Sequence, residues 1–226
     1  MPSLTQLLAK HQRLLVLDAA SRQFQAGLLR ENHSSLWELT EADASTAIFT
    51  CVNALLQDAG LRVADLGAVV YCEGPGSMLG IRSVAMAIRT WGILAPLATY
   101  SYQSLAVAGL FAWRAGPARP LAVIADARRG TWHCQEVARD GTMPEMRRLG
   151  SEQLPPGELL MPEHFRSWDQ PPRAAAACRY DLARILPALA DCDCFRKSDH
   201  PNALQLEAPE YRRWTAQVHR AEARSP

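Results

Sequence analysis

The sequence predicts an α/β protein of two lobes, each a mixed sheet flanked by helices. Three observations carry this. Residues 14–17 (LLVL) form a short continuous apolar run ending at Asp18, as expected of a strand buried on both faces. Residues 121–125 (LAVIA) end in the same way at Asp126. In both places Ala follows the aspartate, then a polar turn, then a second strand, FQAGLLR in one case and TWHCQEV in the other. The aspartates lie 108 positions apart (126 − 18) in a chain of 226 residues. A repeat of half the chain fits a duplication into two lobes, not a solenoid of short repeats.

The elements between the copies follow from periodicity. Residues 41–59 place Ile48, Cys51, Val52, Leu55, Leu56 and Ala59 at helical spacing. Thr40 and Asp43 offer N-terminal caps, and Gly60 a C-terminal stop. A buried strand, LGAVVYC, comes next, followed by the glycine loop EGPGSMLGIRS and a helix over 80–94. A further helix is expected over 101–113, and the lobes divide there, into 1–113 and 114–226. The second half is less periodic. Prolines crowd 150–173, which predicts loops around short elements. A helix over 179–190 is interrupted by Pro187. The closing EAPEYRRWTAQVHRAEARSP reads as a terminal helix, packing back on the first lobe or fraying into solvent.

Composition narrows the classes of function. Net charge is +1, so no global field draws the chain to nucleic acid or to an anionic membrane. No apolar run is long enough to span a bilayer, and residues 1–13 lack the apolar core of a secretory signal. A cytoplasmic protein is expected. The six cysteines do not make a disulfide scaffold in a chain of this size. Cys178, Cys192, Cys194 and His200 count as four ligands, but a Cys-x-Cys with distant partners fits zinc spacing poorly.

Two motifs bear on chemistry. A glycine-rich loop opening a helix lets backbone N–H groups converge on an anion, and it also serves as a plain strand-to-helix turn. An aspartate ending a buried strand in each of two lobes is how actin-like ATPases hold Mg²⁺ and phosphates. An aspartate in that position also caps its own turn. Asp18 and Asp126 are open to either reading. The Gly-Lys-Ser/Thr ending of a P-loop is absent, and Ser77 lacks the flanks of a nucleophile elbow. No helical pair of histidines and no nucleophile–base set can be assembled by spacing, which weighs against a peptidase or any self-sufficient enzyme.

The segments LLVLDAASRQFQAGLL, YCEGPGSMLGIRSVAMAIRTWGILAPLATYSYQSLA, LAVIADARRGTWHCQEV and APEYRR occur in the order seen in the TsaB (YeaZ) family, and the chain resembles that family over about residues 13–137. The resemblance implies a duplicated actin-like (ASKHA, ribonuclease H-like) fold, in a superfamily that also carries the M22 glycopeptidase name. It implies a non-catalytic subunit of the bacterial tRNA N6-threonylcarbamoyladenosine (t6A37) machinery. Its partners would be a TsaD-like catalytic subunit and a TsaE-like ATPase, with tRNA reached indirectly through the complex and a homodimer in isolation. The residues matching the phosphate motifs are Asp18, Gly74, Gly76, Ser77, Gly80, Arg82, Asp126 and Arg128. Against the family pattern, Ala19, Met78 and Leu79 replace hydroxyl residues and Thr131 replaces a glutamate. The loops are therefore less polar. A vestigial phosphate site is expected, with no resident cofactor and with ATP and Mg²⁺ bound weakly or not at all. The alternative is an actin-like ATPase or kinase working through Asp18 and Asp126.

A docking face follows from the helix after the glycine loop. Ile81, Val84, Ala85, Ile88 and Gly92 form one stripe, expected to lie on the sheet. Met86, Ile93 and Leu94 make the opposite side apolar too, which marks a partner interface unless residues 1–13 fold over it.

Overall fold

A computed structural model describes residues 1–116, 119–171 and 173–206. The first half runs α1 (Leu4–His11), β1 (Arg13–Asp18), β2 (Phe24–Arg30), β3 (Leu36–Thr40), α2 (Ala44–Ala59), β4 (Ala68–Gly74), α3 (Met78–Leu94), β5 (Ala98–Gln103) and α4 (Ser104–Ala115). The second runs β6 (Leu121–Asp126), β7 (Thr131–Val137), β8 (Arg147–Gly150), β9 (Glu158–Pro162), β10 (Ala176–Cys178), α5 (Leu182–Ala188) and β11 (Arg196–Lys197).

The duplication reappears as strand order. The first sheet reads β11-β5-β4-β1-β2-β3 and the second β10-β9-β6-β7-β8. In each, the aspartate-ending strand pairs antiparallel with its successor and parallel with a later strand: β1 with β2 and β4, β6 with β7 and β9. The short β11, from late in the chain, adds an edge to the first sheet antiparallel to β5. The architecture is the duplicated actin-like α/β fold, two mixed sheets flanked by helices.

Three cores among the described residues hold it together. Between the sheets, Leu14 and Val16 of β1 and Val123 and Ala125 of β6 meet Leu105, Val107 and Ala108 of α4 and Leu182, Ile185 and Leu186 of α5. Gly109 lets α4 approach closely, since a Cβ there would lie 2.9 Å from Val137. The outer face of the first sheet packs Leu15, Leu17, Val69 and Tyr71 under Ile48, Val52 and Leu55 of α2 and Val84, Ile88 and Trp91 of α3. The outer face of the second sheet carries a small cluster around Trp132, which is fully buried.

Several boundaries differ from the sequence reading. The helix expected from 41 starts at Ala44, because Thr40 still belongs to β3 and its hydroxyl accepts the Ala42 N–H instead. Asp43 is the N-cap residue but makes no side-chain cap bond, while Gly60 ends the helix in the left-handed conformation. The LGAVVYC strand is shifted to Ala68–Gly74, and the helix after the glycine loop starts two residues early, at Met78. Residues 101–103, expected in a helix, finish β5, whose Tyr100 and Tyr102 pair with β4. The helix expected over 179–190 covers only Leu182–Ala188, begun by an Asp181 cap, with Pro187 inside it. Gly92 is exposed and Trp91 takes its place in the buried stripe of α3.

Residues 1–13, read as lacking a signal and as the alternative cover for the apolar side of the 80–94 helix, contain α1, opened by a capping box of Ser3 and Gln6. Its Leu4 and Leu7 are buried in the inter-sheet core, and Met86, Ile93 and Leu94 stay exposed, so α1 does not cover them. The terminal helix and its arginines fall outside the described residues. No helix among the described residues is long and apolar enough to cross a membrane.

Candidate functional site

The two aspartates begin alike. Asp18 Oδ1 accepts the Ala20 N–H at 2.8 Å, and Asp126 Oδ1 accepts the Arg128 N–H at 2.6 Å. Each therefore caps the turn that its own strand runs into. Their second oxygens diverge.

Asp18 has no exposed surface. Its Oδ2 accepts the hydroxyls of Tyr102 at 2.6 Å and Tyr180 at 2.7 Å, one from each half of the chain. Burial pushes its carboxyl up, against the opposing pull of Tyr102, the Ala20 N–H and Tyr180. A carboxylate closed in this way offers no oxygen to a hydrated cation. The tyrosines were not identified from sequence, since they stand 84 and 162 positions from Asp18 and no local pattern links them.

Asp126 sits near the surface. Its Oδ2 accepts the backbone N–H groups of Trp168 at 2.6 Å and Asp169 at 2.7 Å, with the Ser167 hydroxyl at 3.4 Å. Partial burial pushes the carboxyl up, but the N–H donors of Asp169, Arg128 and Trp168 outweigh it and hold the group below the ordinary range. Arg128 stacks on Trp168, its guanidinium carbon 4.4 Å from the ring centre.

The glycines answer to packing. A Cβ on Gly76 would lie 2.4 Å from the Ala20 carbonyl oxygen, and one on Gly80 would lie 2.6 Å from that of Ala19. The Ser77 N–H donates to the Ala20 carbonyl at 2.7 Å. The loop is thus pressed against the turn that follows Asp18. Ser77 caps no helix N–H with its side chain, and Arg82 projects from α3 into solvent.

The residues expected to form one phosphate site are spread over separate places. Gly74, Gly76 and Met78 line a cleft of 460 Å³ with Glu73, Arg129, His133, Arg148 and the 204–206 segment. Ser77 and Gly80 line a different groove, shared with Ser21, Arg22, Asp43 and Arg166. Asp18 is sealed beneath, and Asp126 and Arg128 hold the Trp168 loop. Glu73 accepts from the Gln103 amide at 3.3 Å, faces Arg196, and lines that cleft beside Arg129, His133 and Arg148. With Asp18 buried under two tyrosines, the two aspartates do not present a carboxylate pair to Mg²⁺. The actin-like ATPase reading through Asp18 and Asp126 therefore lacks its paired carboxylates.

The cysteines also answer to packing. Cys178, Cys192 and Cys194 lie against the inter-sheet core while His200 is exposed, and among the described residues no group of three or more His, Cys, Asp or Glu is placed to hold a metal. Burial pushes the Cys178 and Cys194 thiols up to about 12. They behave as small apolar groups.

On α3, Met86, Ile93 and Leu94 are 57%, 85% and 80% exposed. Leu79 on the same helix and Phe49 on α2 extend this apolar surface. None of the described residues covers it.

Comparison with known proteins gives the following similarities. Residues 38–143 match the family model described as TsaD, tRNA N6-adenosine threonylcarbamoyltransferase. The chain is 29% identical over 130 residues to the tRNA threonylcarbamoyladenosine biosynthesis protein TsaB of Escherichia coli K12. That match covers 57% of this chain and 56% of the relative, so it spans little more than half the relative's length. A crystal structure of an uncharacterized protein with similarity to peptidase YeaZ from Pseudomonas aeruginosa superposes with a TM-score of 0.63 at 18% identity, over 87% of this chain and all of the other. YeaZ from Pseudomonas aeruginosa superposes with a TM-score of 0.61 at 21% identity, over 79% of this chain and 90% of the other.

Proposed function

From membership of the TsaB (YeaZ) family, which the sequence match, the family model and the two shared folds support for this chain, we propose that the protein is a non-catalytic subunit of the machinery that makes N6-threonylcarbamoyladenosine in tRNA. It pairs with a TsaD-like catalytic subunit, and a TsaE-like ATPase joins the pair. Transfer tRNA is met through that complex, in the cytoplasm. In the absence of the partner, the same surface supports a homodimer.

The observation that carries the reading is the uncovered apolar side of α3. A helix apolar on both sides is ordinarily buried on both. Here Ile81, Val84 and Ile88 are buried, while Met86, Ile93 and Leu94 are exposed on the same helix. Exposed apolar surface of this kind marks a protein interface. The closed carboxylate of Asp18 supports a subunit whose chemistry is performed by its partner.

Reconstitution tests this. The purified chain, mixed with the TsaD-like subunit of its own organism, should co-elute with it. Modification of tRNA in the presence of the ATPase should then depend on this chain. Full activity of the other components without it would count against the proposal.

A further inference from the structure

The loop around Trp168 is not used by the docking reading, and its composition is unusual. Trp168 is 56% exposed, and Arg128 lies over its ring. Arg22, Arg166, Phe165, Ser167 and Trp168 line a groove of 380 Å³. Among the described residues, none of Arg22, Arg128, Arg129 and Arg166 pairs with a carboxylate, whereas arginines elsewhere do, as Arg114 with Asp191 and Arg119 with Glu158. Asp126 at the end of β6 and Asp169 in the loop lie beside them without forming an ion pair to any of the four: Asp126 accepts from three backbone N–H groups and Asp169 accepts the Gly130 N–H at 2.9 Å. Arg22 and Arg166 also line the adjoining groove with Glu41 and Asp43, while on the Trp168 side Arg128 continues the cationic surface.

The patch is also held in shape. The carboxylate of Asp126 fixes the backbone at Trp168 and Asp169, and the Arg22 N–H donates to the His164 carbonyl at 2.8 Å, joining the loop to the first lobe. Arg128 and Arg129 adopt φ of 68° and 57° in the β6–β7 hairpin, positions at which Asn and Gly are preferred. The chain thus places two guanidinium groups where turn chemistry alone favours small residues.

We propose that Trp168, Arg22, Arg128 and Arg166 form a contact site for a single-stranded RNA loop. An exposed aromatic face stacks an unpaired base, and guanidinium groups beside it meet the phosphates on either side. A polyanionic peptide satisfies the cations but gains nothing from the indole face. That the nucleic acid is RNA rests on the tRNA function proposed above; the stacking and charge of the site do not.

The test uses the full chain and a fluorescein-labelled RNA stem-loop with an unpaired loop, followed by anisotropy over a range of salt concentrations. Wild type should bind the stem-loop more tightly than an RNA duplex of equal length or a polyglutamate peptide. Trp168→Ala should weaken stem-loop binding about tenfold with the salt slope unchanged, and Trp168→Phe should retain most of the affinity. Arg22→Gln and Arg166→Gln should each lower the slope of log affinity against log salt by about 0.7. All four side chains are exposed, and circular dichroism of each variant confirms that it is folded. Absence of wild-type binding at low salt, preference for the duplex or the peptide, or wild-type affinity in Trp168→Ala would each overturn the inference. Intact co-elution with the catalytic subunit alongside any of these results removes this site alone. RNA binding without co-elution removes the docking proposal instead.

Discussion

The outer face of the first sheet carries two long helices, α2 and α3, whereas the outer face of the second carries none among the described residues. Apart from the added β11, the two sheets share one order of five strands, so the difference lies in the crossovers. Between β3 and β4 the first copy inserts a 16-residue helix, and between β4 and β5 a 17-residue one. Among the described residues, the corresponding links in the second copy are loops with one 3-10 turn, at Ser151–Gln153. A duplicated sheet therefore does two different jobs. The first lobe supports a helical layer with surplus apolar surface, and the second closes its own face with one tryptophan and a few aliphatic residues.

The two aspartates teach the same lesson at atomic scale. The shared Asp-Ala step gives matching turn caps, and long-range neighbours then decide whether the carboxylate is sealed or partly exposed. Substitutions can break or sharpen this contrast.

The largest expected effect is in the second lobe. Trp132 is fully buried and its indole N–H donates to the Ser151 hydroxyl at 2.9 Å. Trp132→Ala should cost about 4 kcal/mol, since no helix can settle into the space. Urea unfolding measures this, and a loss below about 1 kcal/mol would mean that the outer cluster contributes little.

Asp18 and Asp126 come next. Asp18→Ala strands two buried tyrosine hydroxyls and the Ala20 N–H, and should cost about 3 kcal/mol. Asp126→Ala frees N–H groups that water can reach, and should cost about 1 kcal/mol. Their pH signatures are opposite. The raised pKa of Asp18 gives a contribution fully present below the unfolded value of about 3.9 and lost as pH rises through the folded one. The lowered pKa of Asp126 gives a contribution present above about 3.9 and lost as pH falls through its folded value. Stability measured against pH should therefore lose its Asp126 component at the acid end in Asp126→Asn, and its opposing slope above about pH 4 in Asp18→Asn. Parallel curves for the two variants would remove the contrast.

Much of this was readable in the chain, and the reasons for the rest are physical. Strands β1, β2, β6 and β7 follow from short apolar runs and the repeated Asp-Ala step, both of which are local. The C-terminal stop of α2 at Gly60 is local too. Helix α1 went unread although Ser3 and Gln6 spell its capping box, because eight residues with two buried leucines give little periodicity. Residues 101–103 carried a helical expectation that β4 overrides by pairing with them. The tyrosines over Asp18 and the Trp168 loop on Asp126 depend on chain segments brought together only by folding, and the second lies in the proline-rich stretch where no period exists.

The smallest expected signal is calorimetric. Titration with Mg²⁺-ATP should give little or no heat, because Asp18 is closed and Glu73 borders the glycine cleft. Low-micromolar binding abolished by Asp126→Ala would restore the nucleotide reading.

The docking face of α3 is tested most directly by the affinity of the TsaD-like subunit for the Met86→Asp, Ile93→Asp double variant. Both side chains are exposed, so circular dichroism and the thermal midpoint should stay near wild type while co-elution is lost. Ile88→Asp provides the contrast on the buried side of the same helix, where an unpaired carboxylate should cost about 4 kcal/mol and unfold the lobe. A folded double variant that still pairs at wild-type affinity would contradict the account and place the interface elsewhere.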